Sequence, residues 1–148
     1  MRRSVRFTVP GLPAPQGSKR AFVIKGTSRA VMVEDNKRTK PWRVDVALMA
    51  KQAMAGSEPF TGPLSAVFVF TLPRPKAHYC GGDPGRALRE TAPIHRDAKP
   101  DVDKLFRAVG DALTGIVYHD DAQLADVRVV KRYGHAPGLS AEIAEMER

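Results

Sequence analysis

The chain has 148 residues, of which 43% are hydrophobic and 27% are charged. This length is typical of one domain, and this composition excludes a disordered tail and a membrane protein. The 24 Lys and Arg residues outnumber the 16 Asp and Glu residues and give a net charge of +8, which favours a polyanionic partner such as nucleic acid. We therefore expect one globular domain over residues 1–148.

Cysteine usage and the N-terminus bear on the compartment. The single cysteine, Cys80, cannot form an internal disulfide, and it excludes a cysteine-rich zinc module. No apolar run has the length of a signal peptide or of a membrane-spanning helix. We expect a cytoplasmic protein with no membrane partner.

The first third of the chain predicts a strand followed by a hairpin. Residues 5–9 alternate between apolar and polar side chains, as in a short strand. A proline-rich loop with the basic residues Lys19 and Arg20 follows. Two β-prone runs within residues 21–34 then flank a Gly-Thr-Ser turn, and this pattern is typical of a hairpin.

A helix and a central strand come next. Apolar residues recur at helical spacing from Trp42 to Ala53, and we expect Thr39 to cap this helix and Gly56 to end it. Residues 64–72 are apolar on both alternating faces, which predicts a central strand that is covered on both sides.

A long basic loop is predicted between this strand and the next helix. Residues 73–100 contain five Pro and three Gly and show no periodicity. Loops of this length are usually functional or disordered. Six cations, among them Arg74, Lys76 and Lys99, make the loop basic. We expect it to be mobile.

The last third predicts one helix and two strands. Apolar residues form a helical stripe from Val102 to Leu113, and Gly115 lies where a glycine commonly ends a helix. Residues 124–133 alternate as in a strand. Residues 138–146 also alternate, although their Ala and Glu content fits a helix nearly as well. The order of elements predicts an α+β fold, with two main helices packed on one mixed sheet.

The charge is divided unevenly along the chain. Residues 97–126 hold seven acidic residues, all of them Asp, against three cations. Carboxylates repel the phosphates that the rest of this basic chain would attract. A bound divalent cation would remove that conflict.

The positions of these aspartates suggest where the cation would bind. A proline just before Asp101 places it at the start of the predicted helix, so that Asp101 and Asp103 can converge on one ion. Asp120 and Asp121 lie on a short connection that we expect to return to the helix start. Carboxylates from two elements form the oxygen-rich site that Mg²⁺ prefers. Arg107, one turn after Asp103, is positioned either to bind the scissile phosphate or to stabilise a developing charge.

Each piece also has a plainer interpretation. An Asp-x-Asp pair occurs as a helix cap beside a surface acid, and Asp103, Arg107 and Asp111 have the spacing of a solvated face with ion pairs. Asp120 and Asp121 alone indicate a turn before a strand. The alternative function is therefore a non-catalytic basic DNA-binding protein. The coincidence of these pieces in a basic chain favours the metal site.

The segment KPDVDKLFRAVGDALTG…YHDDAQLADVRVVK, within residues 99–131, resembles the RusA family of Holliday-junction resolvases. The N-terminal VPGLPAPQGSKR is similar to that family's first strand and basic loop. The family consists of small homodimeric, Mg²⁺-dependent endonucleases that are common in phages and prophages. The resemblance implies a RusA-like fold and a crossover junction endodeoxyribonuclease that acts in DNA recombination and repair.

The resemblance also implies roles for individual residues. Asp101, Asp103 and Asp121 match the family's metal-binding catalytic aspartates, and Asp120 is their neighbour and a further candidate ligand. Arg107 stands where the family often has a catalytically important Lys. Arg keeps the positive charge but does not deprotonate, so we expect an electrostatic role and no proton transfer. Lys104 stands where the family often has Asn.

The expected partners and cofactors follow from the same resemblance. They are a four-way DNA junction, a second copy of the chain, and Mg²⁺, with Mn²⁺ as a substitute. The sequence contains neither GxxxxGK[ST] nor GxGxxG, so no nucleotide cofactor is expected. A nuclease for other branched DNA is a further alternative. We expect DNA contacts from Lys19, Arg20, Arg74, Lys76, Lys99 and Lys104.

Overall fold

The computed structural model describes residues 2–17, 19–34 and 37–148, including their side chains except those of residues 19–22 and 31–34. No helix in these described ranges has the length and apolar character needed to cross a membrane. The main elements are, in chain order, β1 (Ser4–Pro10), β2 (Lys19–Val23), β3 (Ala30–Glu34), α1 (Thr39–Met54), β4 (Leu64–Leu72), α2 (Val102–Leu113), β5 (Leu124–Tyr133) and β6 (Gly138–Glu145).

Four strands form the main sheet, in the order β1-β6-β4-β5. β4 pairs with β5 in parallel, whereas β6 pairs with β1 and β4 in an antiparallel manner. The sheet is therefore mixed, and the predicted α+β fold with two helices is confirmed. β2 and β3 pair as the predicted hairpin, which forms a separate two-stranded sheet.

Both helices pack against one face of the main sheet. Phe68 and Phe70 of β4 are fully buried in the core that this face shares with Trp42 of α1 and with Leu105 and Val109 of α2. α2 shows the predicted apolar stripe, because its buried residues recur at helical spacing. The core thus fixes the direction of α2 relative to the sheet.

The opposite face of β4 corrects one prediction. Both faces of β4 were expected to be covered. On the face away from the helices, however, Val67 is 39% exposed, and only the alternate residues, which face the helices, are buried. β4 is central in the order of strands, yet both helices lie on the same side of it. An apolar strand sequence therefore did not require two covering layers in this fold.

The start of α1 corrects a second prediction. Thr39 is the first residue of the helix, and Arg38 before it makes no capping side-chain hydrogen bond. The Thr39 hydroxyl is buried and instead donates a hydrogen bond to the carbonyl of Pro15 at 2.6 Å. Thr39 therefore anchors the proline-rich loop on α1. The helix ends at Met54 and is capped by Ala55 in the left-handed conformation, one residue before Gly56, which was predicted to end it.

The predicted loop at residues 73–100 is confirmed, with two short 3₁₀ turns inside it. The guanidinium of Arg74 lies over the Tyr133 ring at 4.4 Å and donates to the carbonyl of Pro93. The Lys131 ammonium donates to the carbonyls of Ala98 and Pro100. These contacts fix the last residues of the loop against β5, directly before α2. The mobility of the loop stays a prediction.

Candidate active site

The first group of predicted site residues lies at the start of α2. Asp101 precedes the helix with extended backbone, as its position after a proline predicted, and its carbonyl accepts a hydrogen bond from the Leu105 N–H. Its carboxylate makes no capping hydrogen bond. The Lys104 ammonium lies 3.6 Å from the Asp101 Oδ2. One carboxylate oxygen of Asp101 thus faces a cation, and the side chain is half exposed.

Asp103 and Arg107 occupy the exposed face of the same helix. Neither side chain forms an ion pair within the parts of the chain that the structure describes. Arg107 lies one turn after Asp103, about 6 Å further along the helix axis. The plainer interpretation is thus half right, because the solvated face is formed but its i,i+4 ion pairs are not among the described residues, and both charges are accessible to a ligand.

The second group lies on the 3₁₀ turn that precedes β5. The Asp120 carboxylate accepts a hydrogen bond from the Ala122 N–H at 2.8 Å, and the Gln123 side chain accepts one from the Asp120 N–H at 3.1 Å. This reciprocal pair is a capping box. Gln123 also donates to the carbonyls of Phe60 and Gly62. The turn that carries Asp121 is therefore fixed to the segment before β4.

Asp121 lies in a negative environment. Partial loss of water raises the pKa of its carboxyl above the ordinary value, and the hydrogen bond and charge of Asp120 and the charge of Asp111 raise it further. Burial and the charges of Asp121 and Asp111 also raise the pKa of the Tyr118 phenol. The Tyr118 hydroxyl donates to the Gly110 carbonyl at 2.9 Å. Asp121 thus neighbours the end of α2.

The two groups lie at opposite ends of α2. Asp101 precedes the helix, whereas Asp111, the neighbour of Asp121, is ten residues and about 15 Å further along the axis. The main sheet also shows that the two groups are far apart. Pro100, next to Asp101, accepts a hydrogen bond from Lys131 near the end of β5, whereas the turn with Asp121 lies directly before the beginning of β5. The expected return of the 120–121 connection to the helix start is therefore wrong for a single chain.

The carboxylates of both groups are the side chains that could hold a metal ion. Among the described residues, no group of three or more His, Cys, Asp or Glu side chains is arranged to hold a metal ion. Mg²⁺ in phosphate-processing sites is commonly held by one or two carboxylates, with water and substrate phosphate completing its shell. Asp101 and Asp103 fit that donor set, since both offer accessible carboxylate oxygens at a helix N-terminus.

Several predicted DNA-contacting residues surround the first group. Lys99 and Lys104 line a cavity beside Asp101. Arg74 and Lys76 lie in the basic loop, where Arg74 is half exposed and Lys76 exposed. The side chains of Lys19 and Arg20 lie outside the described residues, although their backbone forms the beginning of β2. The cations of the loop and of α2 therefore share the end of the sheet at which Asp101 lies.

Two residues with a structural part in the site were not predicted from the sequence. Gln123 has a sequence signal, because Asp followed three residues later by Gln is a capping-box pattern. Gln16 has none. It is 8% exposed, and its Nε2 donates to the Asp111 Oδ2 at 2.9 Å while its N–H donates to the Lys104 carbonyl. Gln16 ties the proline-rich loop to both ends of α2.

The fold and the site define a small basic α+β protein with accessible aspartates at a helix start, the chemistry of a nucleic acid-processing enzyme. Comparison with known proteins agrees. The family model described as Endodeoxyribonuclease RusA matches residues 10–144. The chain is also 32% identical over 142 residues to a Bacillus subtilis (strain 168) protein that carries the name "Uncharacterized protein YqaN", with 96% of each chain covered. The chain belongs to the RusA endodeoxyribonuclease family.

Proposed function

We propose that this protein is a Mg²⁺-dependent endonuclease that resolves four-way DNA junctions by hydrolysing phosphodiester bonds during recombination and repair. The observation that carries the proposal is the pair Asp101 and Asp103 at the start of α2, beside the cations Lys99, Lys104 and Arg107. Family membership supports nuclease chemistry, and this grouping supports the start of α2 as its proposed location. The proposed setting is the cytoplasm of a bacterial cell, where host or prophage DNA supplies junctions.

The residues at the start of α2 have distinct roles in this proposal. Asp101 and Asp103 would hold Mg²⁺, or Mn²⁺ in its place, which when bound activates water and stabilises the leaving oxygen. Arg107 carries a permanent charge without an ion pair among the described residues, so it would bind the scissile phosphate and neutralise charge there. Lys104 would leave Asp101 and bind phosphate when DNA arrives.

We further propose that the active form is a homodimer. A four-way junction presents two symmetric strands, and a two-fold dimer offers one active site to each. The separation of the aspartates in one chain supports this proposal, because a second copy would let Asp121 of one chain join Asp101 and Asp103 of the other. Asp120, whose carboxylate already caps the turn, would then position Asp121.

A junction-cleavage assay tests the proposal. Wild-type protein should cut a mobile four-way junction with Mg²⁺ and should not cut it with EDTA. Asp103→Asn should lower the cleavage rate by about a thousandfold or more and leave junction binding intact, because the amide keeps the shape and loses the charge. Asp45→Asn, at an exposed position on α1, is the matched control and should cut like wild type.

The same assay separates the alternatives. Tight binding with no cleavage by wild type under Mg²⁺ or Mn²⁺ would contradict the nuclease proposal and favour a non-catalytic DNA-binding protein. Equal cleavage of flaps or other branched DNA would favour a broader nuclease. Equal cleavage of linear duplex would contradict the proposed specificity for four-way junctions.

A further inference from the structure

A cavity of about 480 Å³ lies beside Asp101, and none of the roles above uses its interior. It opens to solvent and is lined by the proline-rich loop that follows β1, by the end of β4, by the end of the basic loop and by the beginning of α2. Pockets of this volume are within the range that binds small molecules and cofactors. A single nucleotide is of that size.

The inner wall of the cavity is apolar. Leu12 and Pro13 of the loop face Leu72 and Pro73 at the end of β4. Leu12 is 39% exposed, so its side chain is accessible to a ligand in the cavity. Its position is fixed from outside, because Arg38 donates a hydrogen bond to the Leu12 carbonyl at 3.0 Å. This wall offers a base apolar contact area without requiring a particular base.

The rim of the cavity is cationic. Arg38, Arg96, Lys99 and Lys104 contribute to its lining, against Asp101 as the one acidic residue among the described lining residues. Arg96 is held in place, since its guanidinium donates to the carbonyls of Pro73 and Lys99. An apolar wall with a cationic rim is complementary to a base with its phosphate.

The position of Asp101 connects this cavity to the proposed chemistry. Asp101 contributes both to the cavity wall and to the candidate metal site, so a nucleotide in the cavity has its phosphate within reach of that site. We infer that the cavity binds one unstacked nucleotide of the strand that is cut, directly beside the scissile phosphate. The inference rests on the proposed function, and it gives a reason for junction preference, because bases at a branch point unstack at lower cost than bases within a duplex.

A binding cycle tests the inference without cleavage. Affinity is measured in EDTA for a set of four-way junctions, each with one abasic nucleotide close to the branch point. For wild type, one position should weaken binding by about tenfold, because the missing base no longer contacts the cavity wall. Leu12→Trp fills the cavity, so it should weaken binding of the intact junction by a similar factor and remove the effect of the abasic position.

Two further variants control the cycle. Met146→Trp places the same ring at a side chain of similar exposure, 36%, near the opposite end of the sheet, and should behave like wild type. Leu12→Ala only shortens a partly exposed side chain, so it keeps the fold and should reduce the abasic effect. An abasic effect of equal size in wild type, Leu12→Ala and Leu12→Trp would overturn the inference, as would the absence of any sensitive position.

The inference and the proposed function fail separately. If wild type cuts junctions with Mg²⁺ but shows no abasic effect, the nucleotide site is wrong and the nuclease stands. If the abasic effect is present and Leu12→Trp removes it while wild type never cuts, the cavity binds a nucleotide and the nuclease proposal is wrong.

Discussion

Tyr118 illustrates how a single buried group connects the site to stability. Its hydroxyl is fully buried against the Gly110 carbonyl, with Asp121 and Asp111 nearby, and this environment raises the pKa of the phenol above its ordinary value of 10.0. The folded state therefore holds this proton more firmly than the unfolded state. Stability from this difference is fully present below about pH 10 and is lost as pH rises beyond it.

Tyr118→Phe should therefore change the pH dependence of stability. At neutral pH the variant should lose about 1 kcal/mol of unfolding free energy, because the Tyr118 hydrogen bond is absent while the Thr114 hydroxyl still donates to Gly110. Above about pH 10 its stability should decline less steeply than that of wild type. Urea unfolding across the alkaline range measures both effects. Tyr133→Phe is the control and should keep the steep decline; parallel curves for Tyr118→Phe and wild type would contradict the assignment.

Individual site residues differ in how far the sequence predicted them. Asp101 was placed correctly at the helix start, because its position depends on the neighbouring proline and on the helical stripe that follows it. The partner of Asp121 was not predicted. Its neighbour is Asp111, since the connection after α2 stays at the end of that helix instead of returning. Local patterns thus located each carboxylate on its element, whereas their distances depended on tertiary packing.

At the scale of elements, Gln16 is the contact that joins the proline-rich loop to α2. Its side chain is 8% exposed and donates to Asp111, and its Oε1 is buried without a hydrogen-bond partner among the described residues. A hydrogen bond from a neutral amide to a charged carboxylate contributes more than a neutral pair does. This contact therefore holds the loop that forms one wall of the cavity.

Gln16→Ala should lower the free energy of unfolding by about 2 kcal/mol, because the Asp111 carboxylate loses a buried donor. Gln16→Glu should cost more, since it places a second carboxylate against Asp111. Urea unfolding at neutral pH measures both changes. Gln52→Ala, at an exposed position on α1, is the control and should lie within about 0.5 kcal/mol of wild type. A neutral effect of Gln16→Glu would show that the loop does not depend on this contact.

The elements themselves were largely predictable from sequence. β1, the hairpin, both helices and the last two strands follow from residue periodicity, which is a local property of the chain. Two details of these elements were not predictable from sequence, and both involve packing between distant segments. Thr39 bonds to Pro15 instead of capping its own helix, and β4 has one half-exposed face because both helices lie on the other. Periodicity cannot show which faces the helices will cover.

At the scale of the whole molecule, the chain has a net charge of +8, and the aspartates of the candidate site form two separate groups within it. One chain offers the first group at the start of α2 and the second near its end, roughly 15 Å apart along the helix. A single phosphodiester cannot contact both groups of one chain. This separation supports the proposal that the homodimer takes part in the chemistry as well as in binding two symmetric strands.

Mixing inactive variants tests that arrangement. Asp103→Asn and Asp121→Asn should each be inactive alone, since every site in either homodimer lacks one carboxylate. In a heterodimer of the two, one site lacks both carboxylates and the other is complete. Co-folded equal mixtures should therefore recover about a quarter of the wild-type sites, with heterodimers as about half of all dimers. The measurements are nicking of one junction strand and Mn²⁺ binding.

The control uses two variants from the same group. Asp101→Asn mixed with Asp103→Asn should recover neither nicking nor Mn²⁺ binding, because both carboxylates of a site then come from one chain and every site stays incomplete. Recovery in this control would show that exchange of chains restores something other than a shared site. Failure of the Asp103→Asn and Asp121→Asn mixture, with heterodimers present, would show that Asp121 does not complete the site of the other copy and would contradict the shared site.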